Sequence, residues 1–362
     1  DMGSKTKARE SMIAAGVPVI PGSDGALTSI EEALRLAHDM GYPVMLKAAA
    51  GGGGRGIRRC DNDEQLRENY AITQREALAA FGSDELFMEK CIVEPHHIEF
   101  QILADTHGNV VHLFERDCSI QRRNQKLIEI APSNFLSDEL RRKMGEVAVQ
   151  AARAVNYVNA GTVEFLVDKD HNFWFMEMNT RLQVEHTITE TITGVDIVAQ
   201  QIAIAAGEPL PFTQEDLRIN GFAIEYRINA EDPKNDFLPT PGRITRYHSP
   251  GGLGVRVDGC VYAGYELPPY YDSMCAKLTV SGLDWKTTVM RSKRALAEYD
   301  IRGMRTTLPF YRHIVASEAF MAGEFHTGFL DEHPELLDYK PFEAREDIAA
   351  AVAVAIAAHA GL

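Results

Sequence analysis

FWFMEMNTRLQVEH, Phe173 to His186, places Glu177, Asn179, Arg181, Gln183 and Glu185 at every second position. Period-two spacing sets all five on one face of an extended segment, with an apolar face opposite. The run that precedes them, Phe173 to Met176, is too apolar for a surface loop. A solvated strand face is usually a loose mixture of Lys, Thr and Ser. This one carries two carboxylates, two amides and a guanidinium, the make-up of a site.

Working outward, GTVEFLV (Gly161 to Val167) and FWFMEM (Phe173 to Met178) flank a polar connector and read as a β-hairpin. A four-residue loop, Lys169 to Asn172, pairs Asp168 with Phe173 and, counted back, sets Glu164 opposite Glu177. Facing carboxylates repel unless something positive lies between them. A hard divalent cation such as Mg²⁺ takes one or two carboxylates plus substrate phosphates, and Asn179 adds another oxygen. Glu164, Glu177 and Asn179 are therefore candidate metal ligands; the competing reading is a solvated hairpin in another register.

With 362 residues, 45% of them hydrophobic and 25% charged, the chain has room for one large core or two to three smaller ones. Its net charge of −15 argues against a nonspecific nucleic-acid binder, although local Arg and Lys clusters can still hold anions. Cys60, Cys91, Cys118, Cys260 and Cys275 form no CxxC pair and fit reduced thiols. The most apolar run, Ile348 to Ala358, is too short to span a bilayer, and no signal-peptide pattern is present. No membrane partner and a cytoplasmic location are expected. Because Asp1 rather than Met comes first, the chain is expected to begin partway through a larger polypeptide.

Residues 1–18 read as an entry helix and linker, and 19–91 as a small α/β unit. Thr28 with Glu31 makes a capping box for a helix ending at Gly41. After the buried strand Tyr42 to Ala49 come Gly51, Gly52, Gly53 and Gly54. The match to GxGxxG is weak, because a strand rather than a helix follows, and no Walker GxxxxGK[ST] occurs. A glycine turn between strands is instead a flap whose N–H groups can close over phosphates, with Lys47 aimed at the same place. From His96 long antiparallel strands take over, giving a core over 92–220 and a further subdomain over 221–338. Residues 339–362 read as a linker and an Ala-rich helix. Gln121 to Lys126 reads as a solvated basic turn or an anion site. Arg227, mid-strand among apolar residues, needs a partner, and Glu185 or Glu225 can supply one.

KAAAGGGGRGI, MEKCIVEPHHIEFQIL, ERDCSIQRRNQK, AGTVEFLV, MEMNTRLQVEH, EYRINAEDP and PPYYDSM together resemble biotin carboxylase, in order from about Gly3 to His333. The resemblance implies an α+β, ATP-grasp fold: a small α/β lid, a large antiparallel-sheet domain and a C-terminal biotin carboxylase subdomain. It implies ATP, Mg²⁺ or Mn²⁺, and biotin as a carrier-bound substrate. A biotin carboxyl carrier protein or domain, a carboxyltransferase and a second copy in a homodimer are the partners it implies. By position, Lys5, Lys47, Gly51 to Gly54, Glu89, Lys90, Ile92, His97, Gln121 and Leu166 match the ATP site, and Glu164, Glu177 and Asn179 the metal ligands. Lys126, Arg181, Gln183, Val184 and Glu185 match the bicarbonate site, with Glu185 as general base; Arg227 matches the residue that stabilises enolate biotin.

The implied activity is ATP-dependent carboxylation of biotin through carboxyphosphate. Another acylphosphate-forming ligase of the carbamoyl-phosphate synthetase kind, or a non-catalytic nucleotide-binding subunit, is the alternative. Two positions depart from the family: Asn124 replaces a common His and is expected to alter nucleotide contacts, and Thr187 replaces Pro, which is expected to loosen the turn behind Glu185. Because the resemblance begins only at about Gly3, the family's N-terminal domain, which helps complete the biotin pocket, is expected to be missing from this stretch of sequence.

Overall fold

The computed structural model describes residues 5–49, 56–339 and 345–360. Helix α1 (Lys5–Ala14) leads into a small unit made of α2 (Ile30–Met40), β1 (Val44–Ala48), β2 (Ile57–Cys60), α3 (Asp63–Phe81) and β3 (Leu86–Lys90). The three strands form an antiparallel sheet in the order β2-β1-β3, and Leu34, Leu46, Leu66 and Met88 fill its own core. The cap of α2 lies one residue later than expected. Ser29 accepts from the Glu32 N–H, and the Glu32 carboxylate reaches back to the Thr28 N–H and hydroxyl. Thr28 and Ser29 can both cap, and the carboxylate that reaches back selects between them.

Eight further strands make one antiparallel sheet. They are β4 (His96–Ala104), β5 (Val110–Arg122), β6 (Gln125–Ala131), β7 (Asn159–Val167), β8 (Phe173–Asn179), β9 (Phe222–Asn229), β10 (Val255–Gly259) and β11 (Met274–Gly282). Their order is β10-β11-β9-β6-β5-β4-β7-β8. Helix α4 (Asp138–Ala154) packs Met144, Ala148 and Ala151 against Phe100 and Phe165 on one half of the sheet. Each such buried aromatic contributes roughly 1.5–3 kcal/mol. Helices α5 (His186–Thr193) and α6 (Ile197–Ala205) follow β8, and α7 (Trp285–Glu298) and α8 (Leu308–Ala316) cover β9 and β11. The β6–β9 ladder carries the sheet across residue 220 without a break.

The hairpin differs from its expected register near the turn. The connector has five residues, Asp168 to Asn172, because the Asp168 carboxylate accepts from the N–H groups of Asp170 and Asn172 and closes a longer turn. Val167 therefore pairs with Phe173, one residue off. A β-bulge at Met176 removes the offset, and Glu164 stands opposite Glu177. The bulge also reverses the faces: Phe173, Phe175 and Met178 are buried in the core, while Glu177 and Asn179 stay half-buried on the other side. The extended segment ends at Asn179, so the five alternating residues are not all on a strand. Arg181 to Glu185 form a turn, and Glu185 is the N-cap of α5.

Candidate active site

Pairing lines the functional side chains into rows, since residues opposed on adjacent strands share a face. Arg116, Glu99, Glu164 and Glu177 are successive partners across β5, β4, β7 and β8. Gln101, Thr162 and Asn179 form the next row. The sequence cause is alternation: His97, Glu99 and Gln101 interleave with Ile98, Phe100 and Ile102, which enter the core. Above these rows, between the small unit and the large sheet, lies a cavity of about 840 Å³.

Lys126 is the hub of the cavity floor. Its Nζ donates to Glu99 Oε2 at 2.6 Å, Glu185 Oε1 at 2.7 Å and Glu164 Oε1 at 3.2 Å. Arg227 donates from Nη2 to Glu185 Oε2 at 3.0 Å and from Nε to Glu129 Oε1 at 2.6 Å. Its second partner is Glu129 rather than Glu225, because β6 lies beside β9 and brings Glu129 into reach. Burial and Glu99 push the Glu185 carboxyl up, but Lys126, Arg227 and Arg116 outweigh them and hold it below the usual carboxylate range. Glu185 is thus ionised and clamped between two cations.

Glu164 is equally buried. Burial opposes its charge, yet His97 and Lys126 pull its titration far below the ordinary range. Its oxygens accept from Asn179 Nδ2 at 2.8 Å and Gln183 Nε2 at 2.7 Å, and His97 Nε2 lies 2.8 Å away. Glu177 lines the same cavity, half-buried, with no hydrogen bond or ion pair among the described residues. A half-buried carboxylate without a counter-charge, beside Glu164 and the spare amide oxygen of Asn179, is an all-oxygen donor set that fits Mg²⁺ or Mn²⁺.

The cavity wall brings together Lys47, Glu89, Lys90, Ile92, His97, Gln121, Leu166, Val184 and Arg181 from the expected set. Lys47 is ion-paired with Glu89, and Lys90 donates to the carbonyls of Gly41 and Tyr42. Arg181 is exposed and donates to the Leu182 carbonyl. Lys5 opens α1, but its side chain lies outside the described residues, as do Gly51, Gly52, Gly53 and Gly54. The basic turn splits: of its three cations, Arg122 and Arg123 pair with Asp236 and only Lys126 enters the cavity floor, with Asn124 also in the cavity lining. Arg123 and Asn124 take positive φ at this turn, a conformation that Asn tolerates well.

Sequence reasoning missed Arg116. Fully buried, it donates to Glu99, Gln101, Thr162, Gln183 and Thr189, and so holds Gln183 from behind. The alternation in β4 was the available signal, since a buried polar row needs a cation beside it. The expected loosening at Thr187 is not seen: its hydroxyl donates to Glu225 Oε2 and lies 2.8 Å from the Thr279 hydroxyl, tying α5 to β9 and β11. Lys277 donates to the Val184 carbonyl at 2.7 Å and fixes the same turn.

Comparison with known proteins places this geometry. Residues 4–213 match the family described as carbamoyl-phosphate synthase L chain, ATP binding domain, and residues 225–332 match the biotin carboxylase C-terminal domain. The chain is 54% identical to the 2-oxoglutarate carboxylase small subunit of Hydrogenobacter thermophilus, over 100% of its own length and 76% of the relative's. It is 54% identical to a biotin carboxylase of Nostoc sp., covering 91% of this chain and 74% of that one. The crystal structure of the Hydrogenobacter biotin carboxylase domain dimer, with MgADP, ADP and bicarbonate, superposes with a TM-score of 0.89 at 55% identity, covering 94% of this chain and 75% of that one. A Campylobacter jejuni biotin carboxylase gives a TM-score of 0.88 at 49% identity, covering 92% and 74%. The fold is thus the ATP-grasp arrangement of these proteins, mixed α+β.

Proposed function

The chain belongs to the biotin carboxylase family, and from that premise we propose which of its residues carry out the ATP-dependent carboxylation of biotin. The enzyme is an ATP-dependent ligase that uses bicarbonate, and its cofactor is Mg²⁺. Glu185 is the general base. Ionised between Lys126 and Arg227, it is a weak base until bicarbonate arrives; an anion drawn to the same two cations, and to Arg181, Gln183 and the Val184 backbone, relieves the clamp and raises its basicity. The deprotonated anion attacks the γ-phosphate of ATP, the bond to the β-phosphate oxygen breaks, and carboxyphosphate and ADP result. Lys47, Lys5 and the Gly51 to Gly54 stretch hold phosphates, while Glu89, Lys90, Ile92, His97, Gln121 and Leu166 line the adenosine pocket. Glu164, Glu177 and Asn179 would hold Mg²⁺, which supplies charge neutralisation on the terminal phosphates. Carboxyphosphate breaks down to CO₂ and phosphate, the phosphate takes the biotin N1′ proton, Arg227 offsets the charge on the ureido oxygen, and N1′ then bonds to the CO₂ carbon to give carboxybiotin.

The division into residues 19–91, 92–220 and 221–338 follows the same reading: lid, ATP-grasp core and C-terminal subdomain. So do a biotin carrier, a carboxyltransferase, a homodimer and a cytoplasmic setting. Among the described residues no helix is long and apolar enough to cross a membrane. The single observation that carries the assignment of roles is Glu185, buried and ion-paired to both Lys126 and Arg227 above the Glu164–Glu177 pair. Glu185→Gln tests it. Bicarbonate-dependent ATP hydrolysis with free biotin should fall about 10²-fold or more while ATP still binds; an unchanged rate removes Glu185 from the mechanism.

A further inference from the structure

One row along the sheet from Arg227, outside the cavity lining, Glu129, Glu225 and Thr279 are successive partners across β6, β9 and β11. Both carboxyls are fully buried. Each has one satisfied oxygen: Glu129 Oε1 accepts from Arg227 Nε, and Glu225 Oε2 accepts from the Thr187 hydroxyl. Each also has one orphan, since Glu129 Oε2 and Glu225 Oε1 have no partner. Side chains opposed on neighbouring strands have Cβ atoms about 4.5–5.5 Å apart. Two buried carboxylates at that spacing cannot both ionise cheaply, and unmet buried acceptors are rare.

We propose that Glu129 and Glu225 share one proton between their orphan oxygens, and that this proton sets the charge Arg227 offers to its substrate. The inference rests on the reading of Arg227 given above. The groups facing the pair account for the balance. Arg227 faces it from β9, Lys277 and Thr279 from β11, Lys126 from β6, Cys118 from β5, Glu185 and Thr187 from α5 and its cap, and Tyr311 from α8. Within the pair only Glu129 has a cation in contact, Arg227, which it shares with Glu185, and Glu225 has no ion pair among the described residues, so a retained proton spares the pair a second buried charge. Burial accordingly raises Glu225 well above the usual carboxylate range, and burial together with Glu185 pushes Glu129 up to about 7 against the pull of Arg227.

The consequence is catalytic. With the proton in place, one negative charge stands behind the guanidinium, and Arg227 keeps positive charge for the ureido oxygen of biotin. When the proton leaves at higher pH, a second negative charge stands there, and Arg227 is drawn back from the cavity. Glu129 and Glu225 are positioning residues in this scheme, and Thr187, in the place of the family's usual Pro, holds Glu225 by its hydroxyl.

Infrared difference spectra across a pH titration, recorded on the unmodified protein, E225Q and E129Q, test this directly. The unmodified protein should show the C=O stretch of a protonated carboxylic acid at neutral pH that bleaches as pH rises, and either substitution should remove that band. E225Q, which keeps the site neutral on that side, should also move the alkaline limb of the biotin-carboxylation profile upward by about one pH unit, about tenfold in rate on that limb. A band set identical in all three proteins, or an alkaline limb that E225Q leaves in place, overturns the proposal. If E225Q does not fold, the E129Q spectrum decides alone. Failure of the functional reading would look different: the unmodified protein would show no bicarbonate-dependent ATP hydrolysis at any pH, whatever its infrared spectrum.

Discussion

Arg116 organises a site that it does not line. Its guanidinium satisfies acceptors on β4, β7 and α5 and on the turn that carries Gln183, all without exposure to water. The planar fork of five donors is what allows so many partners at once, and a lysine ammonium offers only three. Removing one partner from a buried charge network typically costs about 3–5 kcal/mol. Arg116→Met should therefore destabilise by that order in urea titrations, because Glu99 loses one of the two cations that contact it. Arg116→Lys should retain more stability, yet cut kcat/KM for bicarbonate by about tenfold or more, because Gln183 is released from behind. Normal bicarbonate kinetics in Arg116→Lys would show that Gln183 needs no such support.

At the scale of elements, alternation was legible wherever a strand is regular and misleading where it is not. The β4 pattern of His97, Glu99 and Gln101 and the β7 pattern of Thr162 and Glu164 map directly onto one face. β8 breaks the rule, because Phe173, Phe175, Glu177 and Asn179 share a parity but not a face. The extra residue at Met176 reverses the sides, and a bulge leaves no trace in a period of two. The Glu164–Glu177 pairing was reached from a four-residue loop; the real five-residue turn and the bulge offset each other. Helix α5 was hidden for a related reason: Arg181 to Glu185 continue the alternation of the strand, although the chain has already turned to cap a helix. Gly194, at φ 74°, ends that helix in the left-handed conformation that glycine adopts without strain. Near the start of α5, the Thr187 hydroxyl is a bond to a buried carboxyl that a proline cannot make. Thr187→Val should cost about 1–3 kcal/mol in chemical denaturation. Thr187→Pro should lose a similar amount and keep the helix, since the first turn has no ladder bond to break. No loss in the valine variant would mean that the hydroxyl contributes nothing there.

The large sheet carries acidic and basic side chains in rows on one face and a largely apolar face opposite, where buried Glu115 pairs with Arg141 of α4, so the whole molecule is tied to the ionisation of its interior. Glu99, Glu164 and Glu185 titrate below their ordinary range; in each, burial is outweighed by Lys126 together with Arg116, His97 or Arg227. A carboxyl depressed on folding stabilises the native state above its unfolded pKa, about 4.3 for glutamate, and that contribution is lost as pH falls through the folded value. Glu129 and Glu225 have the opposite sign. Raised chiefly by burial, they contribute stability that is fully present below the unfolded pKa of about 4.3 and is lost as pH rises from there to their folded values, a loss complete at about 7 for Glu129. The free energy of unfolding should therefore peak at mildly acidic pH, near the unfolded glutamate value, and already be falling as pH approaches neutrality. It should fall by a few kcal/mol, about 1.4 for each unit of pKa displacement, on both sides. The β6–β9 ladder joins the two halves of the sheet through these same residues, so the loss should appear as one transition shared by residues 92–339 rather than as two. Urea titrations at a series of pH values, followed by tryptophan fluorescence from Trp174 in β8 and Trp285 in α7, check both points. Fluorescence changes at separate urea concentrations would show that the sheet does not transmit the cost, and a flat profile between about pH 4.3 and 7 would show that neither carboxyl of the Glu129–Glu225 pair retains its proton on folding.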